Sequence, residues 1–399
     1  MAPAPQPSAH VLDEVIDIRR HLHRRPEISF EEHETSRFLE AQLSALGLAV
    51  QPCPTETGAV ARLDTGRPGR TVMLRADIDA LPIQEESGVA FASAIEGRMH
   101  ACGHDAHAAI LLGTIRTLVE HAEALVGSFL FCFQPAEEIV SGARAMIAKG
   151  LLAHHRPDVT IGLHVASWLP AGTVVTRPGL LWAGSDGFQI TMRGPGGHGG
   201  LMGKAGNVIS AQAFLLERLG TVVEGLEHEG TGCRCTIGDV RSDGAWNVVP
   251  RSVVIRGSLR TFTPELREES LGRLRDLLLE VDTEFQVTSE LHLVHRTLPL
   301  CNHPDVTRTV LELGRELVGD RASAIGSPLT VSDDMAEFLT RIPGCYFMLG
   351  ACPPDAEVPP AHHSPTFRID EGSLATGVRM MTAAAARLAA EPPPRHQEK

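Results

Sequence analysis

Apolar residues in the first half of the chain follow two alternating patterns. Helical spacing occupies residues 12–25, 31–46 and 106–121, and short unbroken apolar runs occupy residues 58–63, 71–74, 128–133 and 159–163. Unbroken apolar strands that alternate with helices are typical of a mostly parallel sheet covered by helices. The pattern therefore predicts an α/β fold, in which ligands bind at the carboxyl ends of the strands.

The pattern changes after about residue 186. Apolar and polar residues then alternate in four stretches, which lie at residues 188–192, 233–240, 253–259 and 287–293. Helical spacing at residues 208–226 and 264–285 separates them, and the order strand-helix-strand-strand-helix-strand is that of a ferredoxin-like α+β domain. We therefore predict a domain at residues 186–297 that is inserted into a catalytic domain formed by residues 1–185 and 298–399. The proline-rich tail at residues 391–399 is predicted to be disordered.

Length and charge narrow the possible partners. A chain of 399 residues is long enough for two domains, and a formal charge of −13 disfavours nucleic acid and anionic membranes as partners. No apolar run approaches the roughly 20 residues that span a bilayer, and the first ten residues lack the apolar segment of a secretory signal. The eight cysteines are scattered as reduced thiols are. These features predict a cytoplasmic protein that binds neither nucleic acid nor membrane.

One short stretch concentrates the side chains that bind transition metals. It reads Met99-His100-Ala101-Cys102-Gly103-His104-Asp105-Ala106-His107, with one thiol and three imidazoles. Gly103 allows a loop to direct Cys102 and His104 at one point, and Asp105 is a candidate N-cap of the following helix. The alternative for this pair alone is a buried cysteine beside a surface histidine. We expect His100 and His107 to support the loop or to face solvent.

Two adjacent carboxylates, Glu137 and Glu138, follow the apolar run at residues 128–133. Because neighbouring side chains diverge, one carboxylate can bind a metal while the other acts as a general base, which is what metal-assisted hydrolysis requires. The alternative is a pair of solvated carboxylates at the start of a helix, where glutamate is favoured in any case.

Histidines supply further candidate ligands. His164 ends the apolar run at residues 159–163, where the alternative is a packed core residue, and either His362 or His363 can be a ligand near the C-terminus. Because these residues also lie at predicted strand ends, we expect them to meet Cys102 in a metal centre that hydrolyses an amide.

Asp77 and Asp79 follow the apolar run at residues 71–74. A carboxylate that orients a metal-bound histidine is a common supporting group, and Asp77 is our candidate for it. The alternative is an ion pair with Arg75 that only holds the loop.

The inserted domain carries its own cluster of polar residues. His198 lies in a glycine-rich loop, Gly194-Pro195-Gly196-Gly197-His198-Gly199-Gly200, which suits a lid that brings one donor to a developing oxyanion. Asn247 and Arg260 flank the next strands and can grip a substrate carboxylate. A phosphate cradle is the rival interpretation, but the spacings of phosphate-binding loops are missing.

Together these motifs resemble the M20 metallopeptidase/amidohydrolase family, and most closely the branch with hippurate hydrolases, N-acyl-amino-acid amidohydrolases and auxin-conjugate hydrolases. The matching motifs run in family order along nearly the whole chain. They are His23-Arg24-Arg25-Pro26-Glu27, Leu74-Arg75-Ala76-Asp77-Ile78-Asp79-Ala80-Leu81-Pro82, residues 99–107, Phe133-Gln134-Pro135-Ala136-Glu137-Glu138, Gly162-Leu163-His164, Gly196-Gly197-His198-Gly199, Asn247-Val248-Val249-Pro250, Arg260-Thr261-Phe262, Ser332-Asp333-Asp334 and His363-Ser364-Pro365.

The resemblance implies a centre of two divalent metal ions, zinc or manganese. By motif match the metal ligands are Cys102, His104, Glu138, His164 and His363, with Cys102 bridging the two ions. The resemblance also implies that Glu137 is the general base and then the proton donor, and that His198 reaches the oxyanion, often across a dimer. The inserted domain resembles the lid and dimerisation domain of the family, which implies a homodimer or a higher homo-oligomer. Asn247 and Arg260 match positions that contact substrate.

One segment departs from the family pattern. After His198, close relatives usually continue with Pro-His and then Asp-Pro, whereas this chain has Gly200-Leu201-Met202-Gly203-Lys204-Ala205-Gly206-Asn207. The predicted activity is metal-dependent cleavage of an N-acyl amino acid to a carboxylic acid and a free amino acid. The alternatives are a dipeptidase or carboxypeptidase of the same family and a non-catalytic metal-binding scaffold.

Overall fold

The computed structural model describes residues 5–201, 203–224, 226–228 and 231–392. The chain forms two compact units. The first unit contains the described residues up to Gly179, Cys301–Gly326 and the described residues from Asp334 onward, and the second contains Leu180–Leu300 and Ser327–Asp333. The predicted disordered tail lies outside the described residues from position 393 onward, as does Met202 of the atypical segment.

Ten α-helices and eighteen strands are present among the described residues. The helices are α1 (Ala9–His23), α2 (His33–Ala45), α3 (His104–Glu120), α4 (Gly142–Ala148), α5 (Leu151–His155), α6 (Val208–Glu224), α7 (Pro264–Phe285), α8 (Pro304–Val318), α9 (Met335–Leu339) and α10 (Ser373–Ala390). The strands are β1 (Ala49–Gln51), β2 (Ala59–Asp64), β3 (Thr71–Asp77), β4 (Ser128–Gln134), β5 (Val159–Pro170), β6 (Val174–Thr176), β7 (Gly179–Trp182), β8 (Gly184–Arg193), β9 (Gly197–His198), β10 (Glu227–His228), β11 (Thr231–Gly232), β12 (Arg234–Ser242), β13 (Val248–Val249), β14 (Ser252–Thr261), β15 (Thr288–Thr297), β16 (Leu300–Asn302), β17 (Ala322–Ala324) and β18 (Gly344–Cys352).

The first unit is built on an eight-stranded sheet in the order β1-β2-β4-β3-β5-β18-β6-β17. Its central strands β4, β3, β5 and β18 are parallel to one another. At one side of the sheet, β2 is antiparallel both to β4 and to β1. Every residue of β4 is buried, which explains why its sequence is an unbroken apolar run. Helices α1, α3 and α10 pack together, and α3 and α10 contact β3. The predicted α/β fold class is confirmed.

The register of the sheet fixes where the chemical motifs lie. Asp77 and Gln134 are paired residues at the ends of the parallel strands β3 and β4, so the loops after these two strands start side by side. The sequence places His164 at the end of its strand, but β5 continues to Pro170 because β18 pairs with it along its length. His164 therefore projects from a strand and not from a loop.

The second unit contains a four-stranded antiparallel sheet in the order β12-β14-β8-β15. The two helices α6 and α7 pack against each other and onto this sheet. Phe188, Ile190 and Met192 of β8 are all buried, as their alternation predicts. The topology is that of the predicted ferredoxin-like domain.

The boundaries of this unit are wider than the predicted insertion at residues 186–297. The unit begins at Leu180, and the distant segment Ser327–Asp333 joins it. This segment belongs to the unit because Leu329 makes two backbone hydrogen bonds with its first residues. The N–H of Leu329 donates to the carbonyl of Leu181 (2.9 Å), and its carbonyl accepts from the N–H of Ala183 (2.9 Å). Such pairing between distant segments leaves no periodic signal in so short a stretch.

A buried ionic network ties α1 to the start of α3. The Asp105 carboxylate accepts from Arg19 (3.1 Å) and from Nδ1 of His23 (2.8 Å), while Nε2 of His23 lies 3.1 Å from Glu85. The sequence predicts Asp105 as an N-cap, but Gly103 holds that position and Asp105 faces α1. Burial and Arg19 lower the pKa of His23, but Asp105 and Glu85 outweigh them and raise it to about 9. The imidazolium therefore helps to fix the helix that begins at His104.

Among the described residues, no helix combines the length and the apolar character that crossing a membrane requires.

We predict that His23→Gln destabilises the protein in a pH-dependent way. Because the folded protein holds the His23 pKa above its ordinary value of 6.5, the stabilisation is fully present below that value and is lost as pH rises through about 9. The free energy of unfolding, measured in urea, should fall by about 2 to 3 kcal/mol at pH 6 and by clearly less at pH 10. An equal loss at both pH values would contradict this account.

Candidate metal centre

The five residues predicted as metal ligands come together in the first unit. The potential ligand atoms of Cys102, His104 and His164 lie within 4.8 Å of one another, and so do those of Cys102, Glu138 and His363. The two groups share the Cys102 sulfur. Chain segments as distant as α3, the loop after β4, strand β5 and the loop after β18 thus supply one cluster.

The backbone around Cys102 is shaped so that this approach is possible. Gly103 has a φ of 91°, and a Cβ added there would meet Cγ2 of Val165 at 2.4 Å. Only glycine therefore lets the loop pass so close to β5. His363 also has a positive φ, of 60°, and its N–H donates to the carbonyl of Ala101 (2.9 Å), which links the C-terminal histidine pair to the Cys102 loop.

His104 turns its Nε2 atom to the centre of the cluster. Its Nδ1 donates to the backbone carbonyl of Asp79 (2.9 Å), so Nε2 is the atom that faces the other candidate ligands. Burial lowers the pKa of His104, but the charges of Asp77 and Cys102 outweigh it and hold the pKa well above its usual range, so a metal ion at Nε2 would take the place of a proton. Nε2 is buried without a hydrogen-bond partner and faces Asp77 Oδ2 at 3.6 Å and Glu138 Oε1 at 3.7 Å. Glu138 Oε1 is likewise buried and without a hydrogen-bond partner. A ring nitrogen that faces two carboxylate oxygens in a buried site fits a cation between them, either a proton or a metal ion.

His164 has the same arrangement. Its Nδ1 donates to the carbonyl of Val165 (2.7 Å), which leaves the lone pair on Nε2, 3.5 Å from the Cys102 sulfur. Burial and the neighbouring His107 and His362 hold the pKa of His164 well below its usual range. The ring is therefore neutral and offers an electron pair to a metal.

The two C-terminal histidines differ in what they offer. His362 is half-buried, and its Nε2 accepts from the N–H of Ser167 (3.3 Å), so Nδ1 carries the proton and lies 3.7 Å from the Cys102 sulfur. That ring is oriented to donate to a thiolate. The Nε2 atom of His363 lies 3.4 Å from Glu138 Oε2. The geometry favours His363 as the ligand and His362 as a supporting donor.

The sequence suggests Asp77 as the carboxylate that orients a metal-bound histidine, whereas the structure places Asp79 beside Nδ1 of His104. Asp77 accepts from Arg75 (2.9 Å) and from Nδ1 of His107, so the ion pair with Arg75 considered above is present. Asp79 Oδ1 lies 3.2 Å from Nδ1 of His104. Strand β3 ends at Asp77, and the chain turns there so that the second aspartate faces the histidine.

Asp79 also organises the acidic loop. Its Oδ2 accepts from the hydroxyl of Ser29 (2.7 Å) and from the N–H of Glu138 (3.0 Å). Burial alone would raise the pKa of Asp79, but the hydrogen bonds from His104, Ser29 and Glu138 hold it below its usual value. One ionised carboxylate thus orients two of the candidate ligands.

The electrostatics of the cluster are those of a cation site. Burial raises the pKa of Glu138 to about 7, and the nearby charges of Asp79 and Asp77 add to this effect although His104 opposes it. Burial and Glu138 likewise raise the pKa of the Cys102 thiol well above its usual range. Burial is the larger cause of both shifts, and a divalent cation bound beside these groups would favour their ionised forms. Thiolate, imidazole and carboxylate together suit a first-row divalent metal.

Glu137 lies beside this cluster. Its carboxylate is buried, and its ligand atom lies within 4.8 Å of those of His104 and Glu138. The residue before it, Ala136, has a φ of 53°, which is a left-handed conformation. The chain therefore turns away from the direction of β4 before it reaches the two glutamates.

The other predicted site residues lie in the second unit. His198 of β9 pairs with Val248 of β13, and the N–H of Gly199 donates to the carbonyl of Asn247 (3.0 Å), so His198 and Asn247 are neighbours. The Nδ1 atom of His198 accepts from the N–H of Gly200 (3.1 Å). Arg260 donates to the hydroxyl of Ser332 (2.8 Å).

Two residues that the sequence does not single out also contact the acidic loop or its aspartate. Ser29 donates to Asp79, and Glu32 accepts from the N–H of Ala136 (2.8 Å). A glutamate just before a helix is usually a solvated residue that favours the helix start. No local pattern distinguishes Glu32 from that common case.

Comparisons with known proteins agree with this geometry. A family model described as Peptidase family M20/M25/M40 matches residues 73–387. The chain is 34% identical to the N-acetyl-L-cysteine deacetylase of Bacillus subtilis (strain 168), over 94% of this chain and 88% of that protein. It is 32% identical to the IAA-amino acid hydrolase ILR1-like 2 of Arabidopsis thaliana, over 93% of this chain and 84% of that protein.

A solved structure is similar along almost its whole length. It is the crystal structure of the YXEP protein of Bacillus subtilis, a dinuclear metal-binding peptidase from the M20 family. The TM-score is 0.80 at 28% identity, and the match covers 96% of this chain and 99% of that chain.

Proposed function

The chain belongs to peptidase family M20/M25/M40, and from this premise we propose that it hydrolyses the amide bond of N-acyl amino acids to a carboxylic acid and a free amino acid. The observation that carries the proposal is the cluster in which two groups of ligand atoms share the Cys102 sulfur with Glu137 beside them. The family assignment also confirms two predictions from the sequence, the resemblance itself and the class of enzyme, a hydrolase acting on amide bonds.

Cys102, His104, Glu138, His164 and His363 are the proposed metal ligands, which would hold two divalent ions, zinc or manganese. When bound, such ions supply Lewis acidity, which polarises an amide carbonyl and acidifies water. The assignment is supported by the Nε2 atoms of His104 and His164, which both face the cluster, and by the buried Oε1 atom of Glu138, which has no hydrogen-bond partner.

Glu137 is the proposed general base. Its carboxylate takes a proton from the water that attacks the amide carbon, and it returns that proton to the nitrogen of the leaving amine. The C–N bond breaks in the second step, so one water is consumed and one acid and one amine are formed. The buried position of Glu137 beside His104 and Glu138 supports this role.

Residues of the second unit are proposed to bind the substrate. His198 donates to the oxyanion, while Asn247 and Arg260 hold the carboxylate of the amino acid. The proximity of His198 to Asn247 supports a shared role. We further propose a homodimer or higher homo-oligomer formed through this unit, and a cytoplasmic location in keeping with the scattered cysteines.

The direct test is a turnover screen on metal-reconstituted protein, read out as release of free amine. We predict hydrolysis of N-acyl amino acids and much slower hydrolysis of dipeptides of the same length that carry a free α-amine. A preference for the dipeptides would favour the peptidase alternative. Metal binding without turnover of either class would favour the scaffold alternative.

We predict that Glu137→Gln keeps its metal and loses turnover. The amide preserves shape and hydrogen bonding but cannot accept the proton, so kcat should fall by about 10³-fold, the scale of general base catalysis. Elemental analysis should give the same metal content as the wild type. Retention of full activity would remove Glu137 from the proposed role.

We predict that Asp79→Ala weakens metal binding by about 10- to 100-fold, because both His104 and Glu138 lose the group that orients them. Isothermal titration of metal-stripped protein with Mn²⁺ measures the effect. Asp158→Ala is the matched control, since Asp158 accepts from the N–H of Thr71 (2.7 Å) at the opposite end of β3. Equal losses in the two variants would show that the effect is not specific to the metal centre.

A further inference from the structure

The connection between α1 and α2 contacts the residues that surround the candidate metal ligands. The hydroxyl of Ser29 donates to Oδ2 of Asp79, and the same oxygen accepts from the N–H of Glu138. Three residues later, Glu32 Oε1 accepts from the N–H of Ala136 (2.8 Å). The segment 136–138 is therefore held at both ends. Glu32 accepts from the N–H at its start, and Asp79, which is bound by Ser29, accepts from the N–H at its end.

Glu32 is a fully buried carboxylate, with 0% of its surface exposed. Besides the Ala136 N–H, it accepts the hydroxyl of Thr57 on Oε2 (2.7 Å). Burial raises the pKa of Glu32 to about 7, and the nearby Asp79 adds to the shift while the hydrogen bonds oppose it. A buried carboxylate held by neutral donors is costly for the fold, and such a cost is typically retained where geometry at a site depends on it.

Ala136 has a conformation that alanine does not favour. Its φ of 53° lies in the left-handed region, which costs a residue with a Cβ roughly 1 kcal/mol. Its carbonyl accepts from the N–H groups of Ser141 (3.2 Å) and Gly142 (3.0 Å), and its N–H is held by Glu32. The peptide groups around this residue are thus fixed on both sides, and Glu137 and Glu138 follow directly.

We propose that Glu32 is a positioning residue, which holds the left-handed turn at Ala136 and thereby directs Glu137 and Glu138 toward the cluster around Cys102. The part of this inference that concerns Glu137 rests on the proposed function, whereas the part that concerns Glu138 requires only that the cluster binds a divalent metal. Without the Glu32 acceptor, the turn relaxes toward ordinary backbone angles and both glutamates leave their positions together.

The experiment compares four proteins, namely the wild type, Glu32→Ala, Glu32→Gln and Glu27→Ala. Glu27 is the matched control because it lies in the same connection and accepts from the N–H groups of Glu34 (3.1 Å) and Thr35 (2.8 Å), at the start of α2. Glu32→Gln keeps an oxygen that can accept from Ala136. Affinity for Mn²⁺ is measured calorimetrically on metal-stripped protein, and kcat and KM are measured on the N-acyl amino acid that the screen identifies.

Glu32→Ala should lose about tenfold or more in Mn²⁺ affinity and in kcat, with KM little changed. Glu32→Gln should restore both to within about threefold of the wild type, and Glu27→Ala should lower the melting temperature while leaving Mn²⁺ affinity unchanged. Wild-type affinity and kcat in Glu32→Ala would overturn the proposal, and so would an equal loss of affinity in Glu27→Ala.

A second variant covers the case in which Glu32→Ala does not fold. Glu32→Asp keeps a carboxylate of smaller reach, which cannot contact Ala136 and Thr57 at once, and its Mn²⁺ affinity should fall in the same direction. The calorimetric readout needs no substrate. If the wild type hydrolyses no N-acyl amino acid, the proposed function fails while the affinities still decide the role of Glu32. Absence of divalent-ion binding by the wild type would overturn both.

Discussion

Electron-rich atoms converge around the Cys102 sulfur, and much of the first unit is arranged to hold them together. Nε2 of His104, Nε2 of His164 and the Glu138 carboxylate all face the same small volume. Burial disfavours the charged forms of the thiol and the carboxyl group, so a proton or another cation has to lie beside them. Under the proposed function, that cation is a divalent metal ion.

The groups behind the ligands decide which atoms face inward. The carbonyl oxygens of Asp79 and Val165 each accept a hydrogen bond from Nδ1 of a histidine, His104 and His164 respectively. Both rings therefore turn Nε2 toward the sulfur. Backbone acceptors are well suited to this task because they do not titrate. Asp79 then adds a charged contact to His104 and holds the N–H of Glu138. The orientation of each ring is thus set by the segment that follows β3 and by strand β5.

Much of this arrangement could be predicted from the sequence, and the remainder has a common physical character. The local pattern marks Cys102 and His104, which are separated by one glycine, and the pair Glu137 and Glu138, which follows an apolar strand, as candidates; the resemblance to the family then selects Glu138 as the ligand. The choice between Asp77 and Asp79 depends on where β3 stops, which a single apolar run does not define to one residue. Glu32 acts through the N–H of a residue 104 positions away, and Leu329 joins the second unit through backbone bonds. Contacts between a side chain and a distant backbone group carry no sequence periodicity.

The start of α3 adds a final contribution that links fold to chemistry. His104 is the first residue of this 17-residue helix, so Cys102 lies just outside the end at which the backbone N–H groups are unpaired. The partial positive charge there favours a thiolate over a thiol. Burial and Glu138 act in the opposite direction and raise the pKa of Cys102. These two opposing influences meet at one sulfur, and a cation bound beside it would favour the thiolate.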